Sequence, residues 1–206
     1  MALDEAVLSC VQMDGTVLRF FRWAGPALTF GYSQPWEAAA GAAQSRAIPA
    51  ACVVRRATGG GIVFHDGDIT FSLNFPWPRL SAPGEIYAKI HRGALAGLAA
   101  VGLAAELWRG RAPLRQTACF SGPETNDLVD ASGRKLLGGA LRRRLGRGLY
   151  QGSLRVPPRE GLEAAIQDGL SRQWGGPVSR ELEPAWLEAA EGLAAKYASE
   201  AWNRRR

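Results

Sequence analysis

RRATGGGIVFHDGDITFSLN, residues 55–74, is the stretch around which the rest of the chain is organised. Gly59, Gly60 and Gly61 follow the apolar run Cys52, Val53, Val54 and precede Ile62, Val63, Phe64, so the spacing predicts a loop between two strands. Residues without Cβ let the backbone reach positive φ and bring successive N–H groups close to a ligand, which is how an anion is held without side chains. Arg55 and Arg56 add charge before the loop, and Thr58 adds a hydroxyl. A glycine-rich hairpin turn with no ligand is the alternative. After a turn at 65–68, Ile69, Phe71, Leu73 and Phe75 alternate with Thr70, Ser72 and Asn74, which predicts a half-buried strand. The phosphate loop G-x-x-x-x-G-K-[ST] is excluded because no Lys or Ser follows the glycines. The G-x-G-x-x-G fingerprint fails because strands, not a helix, come next.

With 206 residues, 47% of them hydrophobic, and no low-complexity tract, the chain fits one ordinary globular domain. No apolar run approaches the ~18 residues of a membrane span. MALDEAVL carries none of the basic residues that open a signal peptide, so a cytoplasmic location is expected. Cys10, Cys52 and Cys119 are odd in number and scattered, which argues against a disulfide framework. With only His65 and His91 beside them, no direct protein metal site is expected. The net charge of +6 rests mostly on arginine, and it fits either an acidic partner or an arginine-rich composition.

Taken in order, Leu3, Val7, Leu8 and Val11 are spaced for a short helix that Asp14 and Gly15 end. Strands are predicted over 17–23 and 27–32, with a turn at Gly25 and Pro26. A helix over about 85–107 would bury Ile86, Ile90, Ala94, Leu98, Val101 and Ala105. His91 falls beside that stripe and reads as a surface or core histidine. Gly93, Gly97 and Gly102 weaken the helix, and close packing against a sheet would explain them. Residues 128–129, 135–143 and 149–156 read as a three-stranded meander with Lys135 opening its middle strand. A lysine there could follow a carbonyl oxygen as it gains negative charge. Two further helices are predicted over about 159–174 and about 184–200.

RRATGGGIVFHD followed by DITFS resembles the signature of the lipoate-protein ligase A and octanoyltransferase family, cofactor transferases related to biotin ligases. GRKLLGGA resembles that family's GRK(I)xGxA block, and MALDEAVL, LRFFRW, LTFGYSQ and KYASEAWNRRR resemble its opening and closing blocks. The resemblance implies that Arg56, Thr58, Gly59, Gly60, Gly61 and His65 lie over the carboxyl end of a bound medium-chain acid, or over the phosphate of its adenylate. Gly138, Gly139 and Ala140 would join them, and Lys135 would hydrogen-bond the carbonyl under attack. Trp23, Tyr32 and Gln34 would sit near the acyl pocket, although composition alone makes these aromatics core residues. The block ACF is similar to that of Gram-positive-type octanoyltransferases, which implies that Cys119 carries the acyl group as a thioester. The residues themselves leave open a small buried cysteine. A nearby ammonium would raise its thiolate fraction. TGGG and Asn126-Asp127 are closer to the ATP-using ligases, and YQGSL departs from the usual HGS or HGT, with Gln151 where histidine is common.

The expected fold is α+β, a mostly antiparallel central sheet flanked by helices as in the biotin and lipoate ligase catalytic domains. One such domain over 1–206 is expected, without the extra C-terminal domain of many ligases. The expected activity is attachment of a lipoyl or octanoyl group to a lysine of a lipoyl carrier domain, on a 2-oxoacid dehydrogenase E2 or the glycine cleavage H protein. The first reading is an ATP-dependent ligase using Mg²⁺ with the nucleotide. The alternative is cysteine-dependent transfer from octanoyl-acyl carrier protein with no cofactor. A basic binding module, with Arg142, Arg143, Arg144 and Arg147 on nucleic acid, is disfavoured because these arginines flank a turn with few aromatics. An inactive relative of the ligases is a further alternative, and no membrane partner is expected.

Overall fold

The computed structural model describes residues 1–10, 15–110 and 122–205. Its centre is β5 (Ile69–Pro76), the expected strand after the glycine-rich loop. β5 is flanked by β1 (Thr16–Phe21) and β9 (Arg147–Leu154). The seven-stranded sheet runs β10-β1-β5-β9-β8-β7-β6, where β6 is Glu106–Leu107, β7 Leu128–Val129, β8 Lys135–Arg144 and β10 Val178–Ser179. All its pairings are antiparallel except β1 with β10. The β8–β9 hairpin closes on Leu145 and Gly146, both at positive φ, which is the two-residue turn whose twist suits a hairpin.

The strand expected to be half-buried is buried on both faces. Phe71, Leu73 and Phe75 enter the main core, while Thr70, Ser72 and Asn74, all under 5% exposed, face a second layer. Alternation reveals two faces, and only tertiary packing decides whether the polar one meets water. On the apolar face lie α3 (Pro83–Ala100) and α4 (Leu162–Trp174), burying Ile86, Ile90, Ala94 and Leu98 against Ile166 and Leu170. Full burial of each such side chain is worth ~1.5–3 kcal/mol. Gly93 and Gly97 face α4 rather than a sheet: a Cβ on Gly97 would stand 2.6 Å from Ile166 Cα. The helix expected to reach 107 ends at Ala100. Gly102, at φ +74°, turns the chain so that Leu103 N–H bonds the Leu98 carbonyl, and the following residues become β6.

On the polar face stands a smaller sheet, β3-β2-β4, made of β2 (Ala27–Phe30), β3 (Val53–Arg55) and β4 (Val63–His65). Beside it lie α1 (Ala2–Ser9), α5 (Pro184–Ala198) and α6 (Glu200–Asn203). α2 (Trp36–Gln44) has no counterpart among the sequence expectations, because WEAAAGAAQ relies on alanine propensity and shows no broad apolar stripe. The short first helix ends at Ser9, while Val11 and Asp14 lie outside the described residues. No helix among the described residues is long and apolar enough to cross a membrane.

Candidate active site

The glycine-rich loop, residues 56–62, joins β3 to β4 and folds over the end of β2. Gly60 takes φ +83°, and a Cβ on Gly31 would stand 1.9 Å from the Gly60 carbonyl oxygen. Both glycines are therefore required by backbone geometry. Arg56 pins the loop from inside: its guanidinium donates to the carbonyls of Gly59 and Gly61 and to Thr29 Oγ1, each at 2.9 Å. Arg55 does not face a ligand. It is buried and donates to the carbonyls of Tyr32, Gln34, Trp202, Asn203 and Arg205, anchoring the C-terminal helix. The loop is tied to β9 because Thr58 donates to Gln151 Oε1 at 2.8 Å, and Gln151 Nε2 donates to buried Asp4 at 2.6 Å. Burial alone would raise the Asp4 pKa, but the neighbouring Arg19 guanidinium leads the effects that bring it below the ordinary carboxylate value.

Lys135 opens β8 opposite Val129 of β7, beside a shift of register between Leu128 and Val129. Its ammonium lies 2.7 Å from Asp127 Oδ2 in a buried pair. Tyr87, on α3, donates a short bond to Asp127 Oδ1 and accepts the Gly139 N–H at 3.0 Å. Burial, reinforced by Tyr150 and Asp127, holds the Tyr87 phenol well above its ordinary pKa, so it remains a donor. The lysine runs over Gly138: a Cβ there would stand 2.1 Å from Lys135 Cε and 2.5 Å from Nζ. The GG of GRKLLGGA thus opens a lane for the lysine and leaves the Gly139 N–H to the tyrosine. His91, beneath this cluster, is fully buried with Nε2 2.7 Å from the Tyr150 hydroxyl, and burial pushes its pKa down to about 3.

Between the two sheets is a partly open cavity whose exposed wall is almost wholly apolar. Gly138, Ser153 and Thr70 are register partners across β8, β9 and β5, so the cavity floor crosses three strands. Two interstrand spacings make that floor about 10 Å long, suited to an extended medium-chain acyl group. One end lies under Lys135. At the other, Trp23 donates to Thr70 Oγ1 at 2.9 Å and stacks on His65 at 4.3 Å. His65 Nδ1 lies 2.9 Å from Asp68 Oδ2 and Nε2 lies 2.8 Å from Thr29 Oγ1. Burial lowers the His65 pKa against the opposing pull of Asp68, which favours the neutral ring.

Of the residues expected from the sequence, Arg56, His65, Gly138, Gly139 and Ala140 line this cavity. Lys135 abuts it at Gly138, Thr58 reaches it through Gln151, and Trp23 closes its far end. Gly59, Gly60 and Gly61 form the loop that Arg56 holds. Tyr32 and Gln34 do not line the cavity; Tyr32 packs against Trp202 and Arg205. Cys119 lies outside the described residues. Sequence reasoning missed the roles of Tyr87, Thr29, Thr70, Ser153 and Asp68. The polar positions of β5 were the available signal, since Thr and Ser alternating with large apolar residues mark a second face of unknown covering.

The Lys135 ammonium, buried against Asp127, thus abuts an apolar cavity between the two sheets at Gly138. The chain matches the lipoyl protein ligase A/B catalytic domain over residues 1–164, and it belongs to that family. It is 35% identical to octanoyltransferase LipM of Symbiobacterium thermophilum, over 96% of this chain and 80% of that protein. It is 31% identical to the LipM of Kyrpidia tusciae, over 100% of this chain and 94% of the relative. With the LipM of Carboxydothermus hydrogenoformans it shares 36% identity over 70% of this chain, but it spans only 55% of that relative's length. Among solved structures, lipoate-protein ligase A bound with ATP superimposes with a TM-score of 0.79 at 22% identity, covering 98% of this chain and 92% of that one. A T. acidophilum protein with bound lipoic acid gives the same TM-score at 22% identity, covering 98% and 91%. These two likenesses bear on the fold. The chain is thus an α+β enzyme of lipoyl or octanoyl transfer.

Proposed function

We propose that the chain is an octanoyltransferase that moves a medium-chain acyl group from a thioester donor to the ε-amine of a lysine on a lipoyl carrier domain. The observation that carries this reading is the apolar cavity ending at the Lys135 ammonium. In the proposed reaction the Cys119 thiolate attacks the donor thioester carbonyl, and the donor thiol leaves with a proton. The carrier amine then attacks the Cys119 thioester, forming the amide and releasing the cysteine as thiol. The Lys135 ammonium, oriented by Asp127, stabilises the oxyanion in both steps. Support comes from relatives named octanoyltransferase at 31–36% identity.

The ATP-dependent reading drawn from TGGG and Asn126-Asp127 has weaker support, because each of those residues has a role without nucleotide. Asn126 takes φ +71°, a conformation asparagine tolerates, and Asp127 partners Lys135. The deciding experiment supplies octanoyl-acyl carrier protein without ATP and reads intact mass. An adduct of one octanoyl group, released by neutral hydroxylamine and absent in Cys119→Ala, is the expected result. Transfer that needs ATP and Mg²⁺ and survives Cys119→Ala would assign the ligase reaction instead.

A further inference from the structure

Three hydroxyls line the cavity, on Thr29, Thr70 and Ser153, and all are engaged by the protein. Ser153 donates to Asp68 Oδ2 at 2.6 Å, and Thr70 donates to the same oxygen at 3.2 Å while accepting from Trp23. Neutral His65, donating from Nδ1 to Asp68, accepts at Nε2 from Thr29, whose oxygen accepts a hydrogen bond from the Arg56 guanidinium. Each of the three hydroxyls therefore leads, directly or through His65, to one carboxylate oxygen. The other oxygen, Oδ1, has no hydrogen-bond partner among the described residues; Asp68 borders the neighbouring groove lined by Arg46 and Arg155, not this cavity.

We infer that Asp68 is a specificity-determining residue: by collecting the wall's hydroxyls it leaves methyl, ring and glycine surface, which admits a plain saturated acyl chain and rejects one oxygenated over the Ser153–Thr70 half. The inference rests on the reading of this cavity as the acyl site. A ligand carbonyl oxygen placed there would surrender water and meet no free donor, which weakens binding about 5- to 150-fold.

Calorimetry with two probes tests this: a non-hydrolysable octanoyl-pantetheine amide and its 6-oxooctanoyl counterpart, whose added oxygen can only accept. The protein as it stands is expected to prefer the plain chain by at least about fivefold. In Asp68→Leu no acceptor remains in any orientation, so the wall hydroxyls are released to the cavity and the preference falls toward equality. Ser153→Ala, which keeps Asp68 and adds no donor, is expected to retain the preference. Equal affinity of the unmodified protein for both probes overturns the inference, as does an unchanged preference in Asp68→Leu that is folded by circular dichroism. Should Asp68→Leu not fold, loss of preference in Ser153→Ala still overturns it. Failure to bind the plain probe at all would instead remove the acyl-cavity reading, and this inference with it.

Discussion

The Thr58 hydroxyl donates to Gln151 Oε1 at 2.8 Å, so the glycine-rich loop is fastened to the middle of β9 by a side chain that cannot titrate. Gln151→Leu keeps the volume but strands the Thr58 donor and one acceptor site on Asp4, both buried. Leaving such groups unsatisfied costs about 1–3 kcal/mol each. The expected outcome is a loss of stability of that order in urea, with faster amide exchange at residues 57–61. Unchanged exchange there would mean the loop is held by Arg56 alone.

Lys135 and Asp127 should be tested as a pair. Lys135→Ala leaves a buried carboxylate without its cation, a loss of about 3–5 kcal/mol, partly offset because Tyr87 and the Glu124 N–H still donate to Asp127. Adding Asp127→Asn is expected to restore much of that stability and none of the transfer. Removing one oxyanion donor lowers turnover by about 10²–10³. A stable double variant that retains a tenth of the original rate would take Lys135 out of the chemistry.

Gly138→Ala isolates geometry from charge. The added methyl would occupy the lane of Lys135 Cε, forcing the ammonium aside while Asp127 and Tyr87 remain. Transfer is expected to fall at least tenfold with a stability change under about 2 kcal/mol. Near-normal turnover would show that the lysine reaches its working position by another path.

The main sheet, its helices and the glycine loop were legible because periodicity and turn residues are local signals. GRKLLGGA marked Lys135 correctly as the start of a strand, but nothing in it announced Asp127 or Tyr87. Those partners come from a loop and a helix that only tertiary packing brings to the edge of β8. Arg55 was misread as loop charge for the same reason: its carbonyl partners include three residues from the far end of the chain. The two buried faces of β5 could be counted from alternation but not told apart from a wet one.

Stability is expected to fall on acidification before the carboxylates titrate. Burial holds His91 near a pKa of about 3 in the fold, against its ordinary 6.5, and it also lowers His65. The unfolded chain therefore binds protons that the fold refuses, so the histidine contribution is full above about pH 6.5 and drops below it by up to ~1.4 kcal/mol per pH unit for each such histidine. Asp4, Glu5 and Asp68 are all lowered from the ordinary carboxylate values, so their losses come only below about pH 4. Melting curves from about pH 7 to about pH 5 are expected to show this slope, and His91→Gln, though less stable at neutrality, a shallower one. Equal slopes would assign the acid sensitivity elsewhere.

Trp23 is expected to set the length of the acyl chain. The cavity floor runs from Gly138 through Ser153 to Thr70, and the indole, bonded to Thr70 and stacked on His65, stands at its end. A chain longer than the floor would have to displace that ring. In Trp23→Ala the barrier is gone, and two further methylenes can be buried at about 0.8 kcal/mol each, roughly fifteenfold in affinity. Competition between octanoyl and decanoyl donors should therefore favour octanoyl in the unmodified protein and shift toward decanoyl by about that factor in the variant. Because the substitution also leaves the Thr70 oxygen without its indole donor, Trp23→Ala with Thr70→Val serves as a control that keeps the far wall apolar. If neither variant moves the preference, the acyl chain does not end at Trp23, and its path through the cavity must leave the row of register partners before β5.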